Sequence, residues 1–531
     1  TFLNIWQVIT RNVLRIGSAN MQSPVLEKAR ESISSSTHFD IGTSSQNGFW
    51  CSVIADALAD AGVRFAVLSP GGRSAAMVMS LRQQADIHCV NHIDERSGAF
   101  IALSAAVTTG KPAVICTTSG SAVANVLPAL TEAYARRLPL IVVSCDRPFT
   151  TRGLNPPQST DQIGICAPLV SAQLSLEDPS DNPGKVFELR RDVLQKVSAA
   201  MKAVSAGPVH INVPQPGRLC GNEVLEGWSP LLTPALIRQM IPTTALYDKT
   251  TVQKVSPVYS CELGLPIGQP DLKGVIFVGA DSPLSPDQIA QLADNTGYPV
   301  LADIGSQLRG KDIPNLIYTA DVLCLSPELS AQKIEYLIRI GAPPVSSTMQ
   351  QFLAACDCDV LCLSNFVYQG DYINQHCFNI AHPDNESLYA INPSLHKGNK
   401  QWLESWLVAD TEAKQAAQAY VDDLPWCELQ AAYTVVNAQE YQQFYIANSM
   451  SIRHANALMM KNGPEVSVFT QRGVNGIDGS VGSFIGSLIN HKQPGLLLIG
   501  DETMVHDIAA LANPVCQQVR GLICIMNNAG G

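Results

Sequence analysis

Gly500-Asp501 and Asn527-Asn528 each follow directly on an apolar run, at 496–499 and 522–526. If both runs are strands of one sheet, a carboxylate and a carboxamide stand at two strand ends, a hard-oxygen pair suited to Mg2+ holding a diphosphate. A second group, Asn91-His92-Ile93-Asp94-Glu95-Arg96-Ser97, sets four ionisable side chains between a strand end and an apolar helix. Acids there also suit a helix N-terminus for purely structural reasons. Ser69-Pro70-Gly71-Gly72-Arg73-Ser74 is a tight turn with free backbone N–H groups and an Arg ahead of a helix, able to hold an anion or simply to connect. Thr117-Thr118-Ser119-Gly120-Ser121 and Asp146-Arg147-Pro148 repeat the pattern, so four strand ends present polar groups to one rim. Nearer the C-terminus, Asn448-Ser449-Met450-Ser451-Ile452-Arg453 and the segment from Gln471-Arg472-Gly473 to Gly476-Ile477-Asp478-Gly479 also follow strands. Gly476, Gly479, Gly482 and Gly486 do not form a G-x-G-x-x-G fingerprint, and helix packing explains the later ones.

Such residues need elements to place them. From about residue 48, short β-rich runs alternate with helical patterns, the signature of βαβ units around a parallel sheet. The fold class expected is α/β, with three doubly wound parallel-sheet domains. The first, 48–220, takes strands at 65–68, 87–91, 113–116, 140–143 and 209–213 and a helix at 96–109. A Pro-punctuated connection, 221–270, marks a boundary. The second, 271–400, takes strands at 275–279, 300–303, 322–325 and 360–363; the third, 430–531, takes strands at 444–447, 466–470, 496–499 and 522–526. Ligands of open parallel sheets bind beyond the carboxyl ends of the strands. Only the outer blocks are rich in polar and Gly residues there, so they are expected to carry the chemistry and the middle block to be structural.

At 531 residues the chain exceeds a single core. Hydrophobic residues at 46% against charged ones at 15% exclude wholesale disorder. Lys plus Arg total 35 against 46 acids, and a net charge of −11 argues against a nucleic-acid partner. No apolar run approaches the ~20 residues of a membrane span, so no transmembrane segment is expected. Fifteen Cys, scattered and odd in number, suit a reducing compartment better than a disulfide framework. Cys356, Cys358 and Cys362, followed by His376 and Cys377, lack paired C-x2-C knuckles, and packing outweighs a zinc site there. His88 and His92 lack the helical offset of a metal pair. Residues 1–47 form an extension and linker with Arg11 and Arg15 but no acid before Glu27. That composition suits a transit segment or the tail of a fused domain, with a packed helical extension as the plainer reading. The expected location is cytoplasmic, or an organelle stroma if the stretch is a transit segment or part of a fusion.

Gly500-Asp501 with Asn527-Asn528 resembles the thiamine diphosphate and metal motif of the thiamine-dependent decarboxylase and carboligase superfamily. The 69–74 turn, Asp94-Glu95-Arg96-Ser97, Asp146-Arg147-Pro148, Asn448-Ser449-Met450 with Arg453, and Arg472-Gly473 with Gly476-Ile477-Asp478-Gly479 most resemble its branch in menaquinone and phylloquinone biosynthesis. The similarity runs from about residue 48 to the end. It implies thiamine diphosphate and Mg2+ or Mn2+ as cofactors. Glu95 is then the catalytic residue, hydrogen-bonding the aminopyrimidine ring from a mostly apolar pocket that would raise its pKa. The resemblance assigns Asp501, Asn528 and the Gly530 carbonyl to the metal and places Ile477, with Gly476, beneath the cofactor. The implied substrates are 2-oxoglutarate and isochorismate, both dianions. Arg73, Arg147, Arg453 and Arg472, with Gln158 and Ser449, match substrate-binding positions, and Arg suits carboxylates because it binds them bidentately. The implied reaction is decarboxylation of 2-oxoglutarate and conjugate addition of the resulting carbanion to isochorismate. The Glu-bearing domain of one subunit meets the metal-bearing domain of another, so a homodimer or homotetramer is implied.

Gly72, Ser451, Gln471, Gly482-Ser483 and Ala529 depart from the residues usual at those family positions. Gly72 removes a hydroxyl near a substrate carboxylate. Family members continue beyond the position of Gly531, so the last domain reads as incomplete. Two alternatives stay open, another thiamine-dependent 2-oxo acid decarboxylase or carboligase and a non-catalytic truncated paralogue or fusion piece. A NAD-binding fold lacks its glycine fingerprint and downstream acid.

Overall fold

The computed structural model describes residues 45–202, 206–217, 270–330, 332–365, 377–381, 397–438, 440–460, 466–491, 493–512 and 514–530, with 13–16, 237, 258–259 and 373–374. Strand β1 (Val13–Ile16) joins a sheet formed much later in the chain. The first sheet takes β2 (Phe65–Leu68), β3 (His88–Asn91), β4 (Ala113–Thr117), β5 (Leu140–Asp146), β6 (Ala172–Ser175) and β7 (Val209–Pro214), all parallel, in the order β3-β2-β4-β5-β7-β6. The second takes β8 (Val258–Tyr259), β9 (Gly274–Val278), β10 (Val300–Ala302), β11 (Leu316–Ile317), β12 (Tyr336–Ile340), β13 (Asp359–Ser364) and β14 (Phe378–Ala381) in the order β11-β10-β9-β12-β13-β14-β8, and β8 runs antiparallel. The third takes β15 (Gln443–Ile446), β16 (Ser467–Thr470), β17 (Gly495–Gly500) and β18 (Gly521–Met526) in the order β1-β18-β17-β15-β16, and β1 is antiparallel to β18. The α/β architecture expected from the alternating pattern is therefore present. Strands β2, β4 and β5 are buried along their whole length, as sheets covered on both faces require.

Two readings of the middle block are corrected. Residues 322–325 are not a strand; they overlap the short helix Ala320–Leu323. Ala320, Leu323 and Cys324 are buried while Val322 and Leu325 are exposed, which is helical rather than alternating spacing. The long helix Lys400–Asp423 fixes that segment, because Asp410 Oδ1 accepts both the Thr319 N–H and its hydroxyl at 2.8 Å. Conversely, β12 sits centrally in the sheet but escaped the apolar pattern because Arg339 interrupts it. Arg339 is buried and donates to Asn374 Oδ1 at 3.0 Å. Of the 1–47 extension, only β1 and residues 45–47 are described, and β1 is a strand where a helix was the plainer expectation. The 221–270 connection lies outside the described residues apart from 237, 258–259 and 270. Cys362 lies in β13 and packs in the same apolar core as Cys324, and His376 lies outside the described residues.

The element that matters most for a site is the helix Glu95–Thr109, buried continuously from Ser97 to Ala106. Such a helix has no solvent face. It packs against the helix Ser480–His491, itself buried from Ser480 to Leu488. One apolar core consequently runs from Val67 and Ile115 of the first sheet through Phe100 and Ile101 to Phe484 and Ile485, and on to Leu497 and Ile523 of the third. The first and third sheets thus share a core within a single chain. No helix among the described residues is long and apolar enough to cross a membrane.

Candidate active site

Strands β17 and β18 are adjacent and parallel, with Gly500 opposite Met526. Asp501 and Asn527 therefore leave the sheet side by side, about 4.8 Å apart by ordinary strand spacing. Asp501 opens the helix Asp501–His506, where its Oδ1 accepts the Glu502 N–H at 3.0 Å. Asn528 Nδ2 lies 3.4 Å from Glu428 Oε2. Ala529 and Gly530 follow with φ of 67° and 134°, a turn in left-handed backbone such as occurs where a chain wraps a ligand.

The rim of the same sheet continues at β15 and β16. Asn448 is buried at the end of β15, and Ser449 beyond it takes φ 66°, a strained value for a non-glycine residue. Arg472 Nη1 donates to Asn448 Oδ1 at 3.1 Å, and Asn448 Nδ2 donates to the Gly476 carbonyl at 2.9 Å. Both ends of one carboxamide thus tie Arg472 to the loop that carries Gly476 and Ile477. Ile477 is 42% exposed, an apolar side chain in the loop between β16 and the helix Ser480–His491. Arg453 lies exposed on the helix Met450–Leu458.

Glu95 is the first residue of its helix, with Asp94 as N-cap accepting from the Arg96 N–H at 3.0 Å and the Ser97 hydroxyl at 2.9 Å. The Glu95 carboxylate is half-buried and accepts from Asn125 Nδ2 at 3.1 Å. Asn125 is thus one polar neighbour of the Glu95 carboxylate. His92 is buried beside it; burial lowers its pKa, and its Nδ1 accepts the Asp94 N–H at 3.1 Å. Arg96 reaches across to the third sheet, donating to the His506 carbonyl at 2.7 Å and lying 3.8 Å from Asp478 Oδ1. His506 Nε2 is 2.9 Å from the same Asp478 oxygen. Asp507 accepts the Val481 and Gly482 N–H groups at 2.7 and 3.0 Å, and burial raises its pKa to about 6. The N-terminus of the Glu95 helix, the residue after Ile477 and the helix opened by Asp501 therefore meet in one place. His506 lies five residues along that helix from Asp501, about 7.5 Å of rise.

On the first-sheet rim, Arg73 Nη1 donates to the Gln215 carbonyl at 2.5 Å, while its buried Nε has no hydrogen-bond partner among the described residues. Burial first, and then the neighbouring Arg147 guanidinium, lower the Arg73 pKa. An anion bound beside Arg73 would offset that repulsion. Arg147 donates to the Pro157 carbonyl through Nε at 3.1 Å and Nη2 at 2.6 Å. Gln158, at φ 58°, is held by Ser119, whose hydroxyl donates to its carbonyl at 2.9 Å. Beneath them Asp146 accepts from the Arg147 N–H at 2.7 Å and from Asn212 Nδ2 at 2.9 Å. Asn212 belongs to a buried chain with Ser144, Gln162 and His210, and burial lowers the His210 pKa to about 4.

The predicted residues thus gather as two rims. Arg73, Arg147 and Gln158 bond within the first, Ser449, Arg453 and Arg472 stand on the third, and Glu95 sits where the two sheets join. Sequence reasoning missed Asn125, His506 and Asp507 as neighbours of Glu95 and its helix. The only signal for Asn125 was its place one short helix after the Thr117-Thr118-Ser119-Gly120 loop.

Comparison with known proteins agrees with this geometry. The family described as thiamine pyrophosphate enzyme, N-terminal TPP binding domain, matches residues 51–165, and that described as middle domain of thiamine pyrophosphate matches residues 270–446. A 2-succinyl-5-enolpyruvyl-6-hydroxy-3-cyclohexene-1-carboxylate synthase of Staphylococcus saprophyticus is 31% identical over 479 residues, 88% of this chain and 80% of the relative. Synthases of the same name from Staphylococcus aureus and Roseiflexus sp. are each 30% identical, covering 88% and 92% of this chain and 80% and 84% of the relatives. With a thiamine-binding domain on the Glu95 side and this breadth of similarity, the chain is a thiamine diphosphate-dependent transferase that belongs to the 2-succinyl-5-enolpyruvyl-6-hydroxy-3-cyclohexene-1-carboxylate synthase family.

Proposed function

We propose that the protein couples decarboxylation of 2-oxoglutarate to conjugate addition of the remaining four-carbon unit to isochorismate, releasing CO2 and forming the product for which its relatives are named. The observation that carries this reading is Arg73 at a strand-end rim, its pKa lowered by burial and then by the Arg147 guanidinium, with a buried Nε that has no hydrogen-bond partner among the described residues. A dianionic substrate relieves that repulsion; a neutral-tailed 2-oxo acid such as pyruvate does so less well.

Thiamine diphosphate, when bound, supplies the carbon nucleophile and electron sink that 2-oxo acid decarboxylation needs. Glu95 holds a proton at the aminopyrimidine ring, and Asn125 orients its carboxylate. Asp501, Asn528 and the Gly530 carbonyl form a sparse all-oxygen set. That suits Mg2+ or Mn2+, with the diphosphate and water filling the remaining positions, and the side-by-side exit of β17 and β18 supports it. Ile477, with Gly476, offers an apolar bearing for the cofactor. Arg73, Arg147, Gln158, Ser449, Arg453 and Arg472 bind the carboxylates and hydroxyls of the two substrates.

We read the three sheets as domains 48–220, 271–400 and 430–531, and the working unit as a homodimer or homotetramer in which Glu95 and Asp501 of different copies share a cofactor. Mixing Glu95→Gln with Asp501→Ala chains tests that arrangement. Sharing between copies restores activity in mixed oligomers, whereas a site within one chain leaves every site defective. The reaction itself is tested by CO2 release from 2-oxoglutarate with isochorismate, thiamine diphosphate and Mg2+. Turnover of pyruvate in its place would favour another thiamine-dependent carboligase.

A further inference from the structure

We propose that Glu132 is a positioning residue that sets the loop bearing Arg472, a role that rests on the reading of Arg472 as a substrate ligand. Glu132 lies in the helix Leu127–Ala135 of the first-sheet region and is only 2% exposed. A carboxylate buried that deeply requires strong partners. It accepts the backbone N–H of Gly473 at 2.9 Å and of Val474 at 2.8 Å, the two residues that follow Arg472.

Successive N–H groups converging on one point form an anion-binding nest. Here the nest is filled by the protein's own carboxylate, so the guanidinium of Arg472 remains as the loop's means of holding a substrate anion. The approach is possible only because residue 473 is glycine. A Cβ there would lie 2.8 Å from Glu132 Oε2 and 2.9 Å from Arg136 Cγ.

Arg136 fixes Glu132 in turn. It lies 3.7 Å from the Glu132 carboxylate, donates to Asp281 through Nε at 3.0 Å and Nη2 at 2.7 Å, and donates to the Thr470 carbonyl at 3.1 Å. Burial draws its pKa down, but the Asp281 carboxylate more than offsets this, so the guanidinium stays charged. Asp281 follows β9 and Thr470 ends β16, so the anchor joins all three sheets. Asn448 closes the other side of the loop through Arg472 and Gly476. The loop is thus held from two directions, and a displacement of about 1 Å at a substrate-positioning group can cost on the order of a hundredfold in rate.

The test uses the full chain with Glu132→Gln, which keeps the side-chain size but replaces one acceptor oxygen with a donor. Amide hydrogen exchange across 472–476 is expected to quicken about ten- to hundredfold, with little change elsewhere. KM for 2-oxoglutarate is expected to rise about tenfold with a smaller change in kcat, and Glu132→Asp to recover part of the loss. Gly473→Ala, which pushes the loop off the carboxylate, gives a second route to the same signature should Glu132→Gln fold poorly. Unchanged exchange in the loop, or an unchanged KM despite faster exchange, overturns the proposal. If the wild type does not turn over 2-oxoglutarate, the functional reading fails, and the exchange measurement alone then decides whether Glu132 holds the loop.

Discussion

Replacing Gly486 by Ala tests whether the contact between the Glu95 helix and the Ser480–His491 helix sets the geometry of the site. Helix propensity alone favours the change by about 0.8–1 kcal/mol. Against this, the added Cβ would sit 2.5 Å from the Ile101 carbonyl oxygen, 2.9 Å from Ser104 Cβ and 3.1 Å from Ile101 Cα. Two of these atoms are backbone of a buried helix and cannot rotate away. Restoring ordinary contact near 3.4 Å requires the helices to part by about 0.9 Å, and overpacking of this kind costs about 1–3 kcal/mol. The net expectation lies between no change and a loss of about 2 kcal/mol, or a thermal midpoint lower by up to about 8 °C. Because Glu95 and the Ile477 loop lie at the N-terminal ends of these two helices, parting them displaces each relative to the half-site that another copy would supply, and thiamine diphosphate affinity measured by calorimetry should fall about tenfold as well. Gly110→Ala is the control, since Gly110 has φ 63° and a Cβ added there would meet nothing within 4 Å among the described residues. It should cost backbone strain while leaving cofactor affinity alone. A Gly486→Ala protein as stable as the wild type, with unchanged cofactor affinity, would refute the reasoning.

Glu95→Gln is expected to slow exchange of the cofactor C2 proton, followed by NMR, at least about a hundredfold while cofactor affinity changes only a few-fold; undiminished exchange would exclude Glu95 as the proton-handling group. Arg147→Met should raise KM for 2-oxoglutarate about tenfold or more without lowering the unliganded thermal midpoint, because relief of repulsion on Arg73 offsets the lost bonds to Pro157. A drop in midpoint with unchanged KM would contradict that. The Asp507 carboxyl, raised from 3.8 to about 6 by burial, binds its proton more tightly in the folded chain than in the unfolded one. Its stabilising effect is full below pH 3.8 and is lost as pH rises through 6, a change of about 3 kcal/mol at 1.36 kcal/mol per pKa unit. Denaturant titrations should therefore show Asp507→Asn gaining on the wild type between pH 4 and 6, and parallel profiles would dispose of the argument.

Nine strands of the first and third sheets were legible to within a few residues because each is a short apolar run stopped by Gly or a polar cluster, whereas β6, half polar, and β1, in the N-terminal extension, were not. The same punctuation placed Asp501 and Asn527 at neighbouring strand ends, as the register of β17 and β18 shows. The middle sheet was harder to read. Buried Arg339 disguised β12, and Val322 to Leu325 looked like a strand although only helical spacing explains which of them are buried. The supports of the site were less legible still. Glu132 lies within an apolar helical stretch and holds a loop 341 residues away, and Arg96 meets His506 across 410 residues. Local pattern carries no information about such pairings, which form only when the first and third sheets pack on one core.

The most direct test of the account is a calorimetric titration of the protein with thiamine diphosphate in the presence and absence of Mg2+. Saturable binding of one molecule per chain is expected, abolished by chelation of the metal and in Asp501→Ala. Binding of equal affinity without a divalent ion, or undiminished binding by the Asp501→Ala protein, would contradict it.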